Sequence, residues 1–310
     1  MLFLGVLPQS MKINESGDFF HRYIPSAERI YNEFDFETVG YYVPGYPIIL
    51  ALLMFVSDFL KIENNLIIHI FQLICYCLSA ILLYRISSIF INKKYAIIPS
   101  LIWITYPPNL YMMKQPGIPS IPFTTLILFI LFCFTKVIYN EKFSFRNFFL
   151  IGCMIGILML LHPRAIGLGF VFSIAIFLLL KTYKHINKLY FSVILLLGIE
   201  AIVLPWQIFV YKQTDKPVIL MPNSIMMIKD GFVFNRKIQG YRLGVNLPKD
   251  VEKISTLVYQ NWHKTKTKSE LKKILQPYFK ESPISFIKLF FIKVFRSFYA
   301  TDSHRYEKLS

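Results

Sequence analysis

Phe148 to Leu180 reads FFLIGCMIGILMLLHPRAIGLGFVFSIAIFLLL, two apolar runs joined by His162-Pro163-Arg164. A connection that short between the runs Phe148–Leu161 and Ala165–Leu180 is a helical hairpin turn. Crossing a bilayer core of about 30 Å takes roughly 20 helical residues, and both runs are shorter. The turn therefore sits at or below the headgroup level, and both helices extend into their charged flanks at the other end.

Working outward, four more apolar stretches read as spans: Leu66–Tyr84, Tyr95–Met113 and Ile118–Tyr139 before the hairpin, and Leu189–Tyr211 after it. The composition agrees. The 310 residues are 55% hydrophobic and 17% charged, with a mean hydropathy of +0.49. Soluble domains carry roughly a quarter charged residues, so a soluble enzyme is disfavoured, and disorder needs far lower hydrophobicity. The expected class is an all-α polytopic membrane protein. Its net charge of +16 is read by position along the chain, and nucleic acid is not an expected partner. Cys75, Cys77, Cys133 and Cys153 all lie inside apolar stretches and read as free thiols packing as small apolar residues.

Loop charge orients the spans. Arg85, Lys93 and Lys94 form one basic loop, Lys136, Lys142 and Arg146 a second, and Lys181, Lys184 and Lys188 a third. The intervening turns hold only Lys114 and Arg164. Six spans with all three basic loops in the cytoplasm satisfy the positive-inside rule. Residues 1–43 and 212–310 then face outward. The first segment fits that side, with Glu15, Asp18, Glu28, Glu33, Asp35 and Glu37 against Lys12, Arg22 and Arg29. A seventh crossing at Val43–Leu60 would invert the pattern, so Pro44–Leu60 is expected as an outer-face juxtamembrane or re-entrant helix. The predicted organisation is an outer first loop (1–43), a transmembrane bundle (44–211) and an outer polar segment (212–310). Met1–Leu7 is apolar but too short for a span or a full signal peptide. It reads as the tail of an upstream span lost by truncation.

Pro217, Pro222, Gly231, Gly240, Gly244 and Pro248 predict turns and short strands in the first half of the last segment, and Asp250–Lys280 reads as helix. Residues 284–298 form an amphipathic helix. At 100° per residue, Lys288, Lys293 and Arg296 fall on one side and Ile284, Ile287, Phe290, Phe291, Val294, Phe295 and Phe298 on the other. The expectation is an interfacial helix whose cations face headgroups or phosphates.

No phosphate-binding glycine loop, dinucleotide fingerprint, HExxH or GxSxG occurs, so soluble nucleotide-dependent catalysis has no support. The remaining polar groups gather near one membrane face. Asp18 reads either as a general base on an acceptor hydroxyl or as one of six acids solvating an outer loop. Arg164 reads either as a fork gripping a lipid phosphate or as an arginine snorkelling to the interface. Glu200, inside Leu195–Trp206, reads as a buried ion pair or a structural acceptor. His162 reads as a turn residue, His69 as interfacial, and Trp103 and Trp206 as members of an aromatic belt.

The order of these features has a counterpart. An acidic loop with Asp18, Tyr23 and Ala27 precedes Val43-Pro-Gly-Tyr-Pro-Ile-Ile-Leu-Ala-Leu-Leu53 and a helix ending in Tyr84-Arg85. Tyr106-Pro-Pro108, a hairpin with Arg164 and Leu204-Pro-Trp206 follow. This resembles the polyprenol-phosphate-dependent membrane glycosyltransferases of the GT-C fold, within them the protein O-mannosyltransferase and aminoarabinose-transferase-like superfamily. It covers roughly residues 15–300, and PGYPIILALL is its most specific piece. The resemblance implies a GT-C-like helical bundle with outer-face juxtamembrane helices in a membrane, here expected to be a bacterial inner (plasma) membrane. It implies transfer of a sugar from a polyprenyl-phosphate carrier to a lipid, glycan or protein acceptor on the outer face. It also implies Asp18 as the catalytic group, with Tyr23, Arg164, Lys293 and Arg296 expected in substrate binding. No cofactor is certain, and a divalent cation stays open.

Ile121 stands where many relatives carry an acid before the proline, and Phe209-Val210 where they often carry Arg-Asn. Relatives are also longer at both ends. A non-catalytic remnant or assembly partner of such an enzyme is therefore an alternative. A transporter is a more distant one, because no internal repeat supports it.

Overall fold

The computed structural model describes residues 19–36, 43–113, 119–141, 143–180, 185–215, 217, 220, 224–233 and 248–299. It divides into two compact units, Met1–Pro222 and Asn223–Ser310. No strand occurs among the described residues. The chain is an all-α membrane protein.

The first unit opens with a π-helical turn at Phe19–Tyr23, followed by α1 (Ile24–Glu33) and α2 (Gly45–Leu60). Then come α3 (Asn64–Phe90), α4 (Lys93–Thr105), α5 (Pro107–Met113), α6 (Ser120–Tyr139), α7 (Phe145–Leu161), α8 (Leu168–Leu179) and α9 (His185–Thr214). Three of them, α3, α6 and α9, are long and apolar enough to cross a membrane, and α2, α7 and α8 are shorter apolar helices. At 1.5 Å per residue α3 extends roughly 40 Å. The apolar run 43–60 forms the expected separate helix α2.

The predicted span Tyr95–Met113 is not one helix. It breaks at Tyr106, which is extended (φ −69°, ψ 114°). Pro107 and Pro108 supply no amide hydrogen, and a residue before proline is pushed out of the α region. The chain resumes as the short α5. The hairpin turn is also longer than its three predicted residues. His162 is extended (φ −155°, ψ 128°) and leads into a 3-10 turn at Pro163–Gly167 before α8 begins.

The tightest packing joins α7 to α9 through glycine. A Cβ on Gly152 would lie 2.1 Å from the Leu195 carbonyl oxygen, and one on Gly198 would lie 2.3 Å from that of Phe149. Gly152-x-x-x-Gly156 on α7 thus lets the two backbones meet, as small residues do between membrane helices. Around this seam Phe134, Phe148, Ile151, Ile155, Phe172, Ile176, Leu195 and Ile199 form the main core. Polar bonds fasten α3 to its neighbours. Thr125 Oγ1 donates to the Cys75 carbonyl (2.8 Å), Ser100 Oγ to that of Ala80 (2.7 Å) and Trp103 Nε1 to that of Tyr76 (3.2 Å). The four cysteines are free, as expected.

The loop cations do not all stay in solvent. Lys188 is buried and donates to the Phe177 carbonyl (3.2 Å) in the last turn of α8.

The second unit contains α10 (Ser224–Phe232), α11 (Lys249–Gln260), α12 (Lys268–Glu281) and α13 (Pro283–Tyr299). A helix thus stands at 224–232, where turns and short strands are predicted. The predicted helix Asp250–Lys280 is two helices, because Thr267 starts α12 with a reciprocal cap: its hydroxyl accepts from the Glu270 amide, and Glu270 accepts from the Thr267 amide. Val233, Val251, Ile254, Val258, Leu271, Leu275 and Leu289 form the core. Lys229 is buried, donates to the Trp262 and Thr265 carbonyls (both 2.8 Å), and lies 4.6 Å above the Trp262 ring.

Candidate functional site

The PGYP segment is where the first unit's elements converge. A Cβ on Gly45 would lie 2.5 Å from the Leu160 carbonyl oxygen and 2.7 Å from the Leu161 nitrogen. Only glycine permits that approach, so the start of α2 is pressed against the last backbone turn of α7. His162 and Arg164 follow directly. Val43 and Ala165, on either side of this contact, are both buried in the main core. The start of α2 is a docking point for the backbone that leads into the Arg164 hairpin.

Tyr46, the next residue, is fully buried. It packs edge-to-face with Tyr23 (centroids 5.2 Å apart, planes at 88°) and accepts a hydrogen bond from Gln72 Nε2 (3.3 Å). A second core surrounds it, built from Phe19, Ala27, Ile30, Leu50, Met54, Ile68, Leu161, Trp206 and Val210. Tyr31 Oη donates to Asp58 Oδ2, which ties α1 to the far end of α2. That bond holds the Tyr31 hydroxyl above its ordinary pKa. Arg29 pairs with Asp35 at 2.8 Å.

The hairpin turn has its own electrostatics. His162 Nδ1 accepts the Arg164 backbone N–H (3.2 Å), and its ring packs edge-to-face with Phe123, centroids 5.7 Å apart. An accepting Nδ1 requires the neutral ring with its proton on Nε2. Burial, and then the neighbouring Arg164 charge, push the His162 pKa down to about 4. The turn thus carries one fixed positive charge, the exposed Arg164 guanidinium, beside an imidazole that stays neutral at physiological pH.

Of the predicted site residues, Tyr23 and Arg164 belong to this unit. Tyr23 touches Tyr46, whose neighbour Gly45 rests on the backbone leading to the hairpin. Asp18 lies outside the described residues, immediately before the buried Phe19. Lys293 lies in the second unit, where it donates to the Val233 carbonyl (2.8 Å). Arg296 is within α13, and its side chain is outside the described residues. Glu200 is not buried as expected, because it stands on the exposed side of α9. Trp206 is not a belt residue: it is buried, stacks on Phe209 at 5.3 Å and donates to the Leu220 carbonyl (2.9 Å). Among the described residues no three His, Cys, Asp or Glu come together as metal ligands.

Sequence reasoning missed Gly45 as a contact, and it missed Gln72, Tyr31 and Asp58. Asp58 carried a signal, a lone acid near the end of an apolar helix. Gln72 carried one too, an amide inside a span.

Comparison with curated proteins and with solved structures finds no match. The profile of dolichyl-phosphate-mannose-protein mannosyltransferases matches residues 44–209, more than half of the chain. The matched region runs from the Pro44–Gly45 contact, through the Arg164 hairpin, to Phe209 beside Trp206. A membrane glycosyltransferase of the GT-C type accounts for the long apolar helices and for the convergence of α1, α2 and the hairpin, and the chain belongs to the dolichyl-phosphate-mannose-protein mannosyltransferase family.

Proposed function

We propose that this chain transfers a sugar from a polyprenyl-phosphate carrier to a lipid, glycan or protein acceptor on the outer face of the membrane. The observation that carries the reading is the Arg164 hairpin: an exposed guanidinium on a turn whose approach backbone is clamped by Gly45. A planar fork of donors suits a phosphate of fixed orientation. The neutral His162 adds no competing charge and stiffens the turn through its bond to the Arg164 amide.

In this reading the acceptor oxygen attacks the anomeric carbon as the bond from that carbon to the phosphate oxygen breaks. The polyprenyl phosphate leaves with the electron pair, and Asp18 takes the acceptor's proton. Arg164 balances the charge on the departing phosphate, and Tyr23 flanks the substrate beside Tyr46. Lys293 and Arg296 are secondary cations for the carrier. Lys293 has to release the Val233 carbonyl to serve there, so the donor-site argument rests on Arg164.

The test is transfer from labelled polyprenyl-phosphate mannose, with other polyprenyl-phosphate hexoses and pentoses in parallel, by purified protein in lipid nanodiscs with membrane-extract acceptors. EDTA and Mg²⁺ arms read metal dependence. Asp18→Asn is expected to lower turnover by about 10²–10⁴-fold, the range for general-base assistance. Undiminished transfer in that variant removes Asp18 from the reaction. No transfer by the unaltered chain from any carrier leaves the remnant or assembly-partner reading.

A further inference from the structure

We propose that the second unit docks onto an anionic lipid surface through the outward apolar face of α13. The helix has two faces, and each has a defined position. Ser285 and Leu289 are buried, and Ile292 packs against the same core. Ser285 Oγ and Lys288 Nζ both bond the Asp250 carboxylate, at 2.8 and 3.1 Å, and Lys293 Nζ bonds the Val233 carbonyl. Lys288 and Lys293 are therefore tied back to the rest of the unit, Lys288 with its side chain half exposed.

That leaves the opposite side outward. Ile284, Ile287 and Phe290 are 63%, 56% and 63% exposed, and Phe291 on the same face is 52% exposed. Spacings of three, six and seven residues place all four on one stripe of a helix. Phe279, near the end of α12, adds a further exposed ring. A soluble surface rarely carries so many large side chains together unless the patch meets a partner.

Two observations identify the partner as lipid. The first is charge. The unit holds 17 of the chain's 34 Lys and Arg but 7 of its 18 Asp and Glu, which gives it a formal charge of +10 out of +16. A unit with that excess of positive charge is drawn to anionic headgroups. The second is the tether. The membrane-crossing helix α9 ends at Thr214 and α10 begins at Ser224. The nine residues between them span at most about 32 Å when fully extended, so the unit is held on a short tether to that helix. Insertion then requires only that α13 lie in the interface plane with Ile287 and Phe290 pointing down. Lys288 and Lys293 act as struts that set this roll of the helix.

The test uses the full chain with its four cysteines replaced by alanine, in vesicles of phosphatidylethanolamine and phosphatidylglycerol. Single cysteines at Ile287 and Phe290, and at the exposed controls Glu252 and Lys272, carry an environment-sensitive fluorophore. Brominated lipids should quench the labels at Ile287 and Phe290 and spare the controls, and aqueous iodide should do the reverse. Iodide quenching at Ile287 and Phe290 overturns the proposal, because the face is then in water. Shielding from both quenchers also overturns it, because the face is then covered by protein. A second measurement keeps the native cysteines and places benzoylphenylalanine at Phe290. Photolysis should give a lipid adduct, and a protein crosslink or no adduct refutes docking.

Discussion

Gly45→Ala adds one methyl group at the point where the family's most specific segment meets the hairpin. Its Cβ would stand 2.5 Å from the Leu160 oxygen and 2.7 Å from both the Leu160 carbon and the Leu161 nitrogen, against 3.4 Å for ordinary contact. All three neighbours are helix backbone, so no side chain can swing aside. The helices have to part by about 1 Å. Overpacking of this kind costs about 1–3 kcal/mol, which in a unit of this size lowers the thermal midpoint by a few degrees, on the order of 2–4 °C per kcal/mol. The effect on transfer should be larger than that loss implies, because a shift of about 1 Å in a positioning element can cost roughly 10²-fold in rate. The assay pairs thermal unfolding in detergent with sugar transfer measured well below the midpoint. A variant with an unchanged midpoint refutes the contact. A lowered midpoint with full transfer shows that the contact only stabilises and does not position the hairpin.

Gly152→Ala and Gly198→Ala should each lower the thermal midpoint by a similar amount, and the double variant should fall short of their sum because each glycine lies against the other's helix; additive midpoints would contradict the seam. Arg164→Lys keeps the charge and loses the fork, so the apparent KM for the polyprenyl-phosphate sugar should rise by about tenfold with the midpoint unchanged, because charged hydrogen bonds contribute about 1.5–3 kcal/mol; an unaltered KM in both Arg164→Lys and Arg164→Ala moves the phosphate elsewhere. His162 has a folded pKa near 4, below the usual 6.5, so the unfolded chain takes up its proton first as pH falls. Its contribution should be constant above pH 6.5, decline between 6.5 and 4, and level off below that. Midpoints of the parent and His162→Asn, which keeps a capping acceptor without the titration, should diverge in that window, and parallel curves there would show that His162 does not titrate as described.

Much of the architecture is legible because it follows from transfer to lipid. Apolar runs, the separate helix at 45–60 and the amphipathic helix near the C-terminus are all local properties of the chain. What stays hidden depends on partners distant in sequence. Gly152 and Gly156 are visible as a pair, but the seam needs Gly198 on another helix. The wheel of α13 sets Lys288 and Lys293 apart from Ile287 and Phe290, yet it cannot say which side faces inward; Asp250, far upstream, decides that by holding Lys288. The break at Tyr106 is a different failure. Two consecutive prolines state it locally, and hydropathy averaged over a window conceals it. At the site, Arg164 and Tyr23 are legible as residue types. The clamp that relates them is not, because a glycine at a close approach looks like any turn glycine.

Lys188 separates two events in the life of the chain. While a segment is inserting, every lysine in a loop weighs on which side that loop remains, whatever contact it will make later. Once folded, this ammonium is withdrawn from water and completes the carbonyl end of α8. One side chain therefore acts first as a biogenesis signal and afterwards as a helix cap, with different chemical requirements at each stage. Arginine would keep the first role and strain the second, whereas glutamine would keep a donor for the cap and lose the vote on topology. Amine-reactive labelling of the mature protein should accordingly find one cation fewer around this connection than its sequence contains.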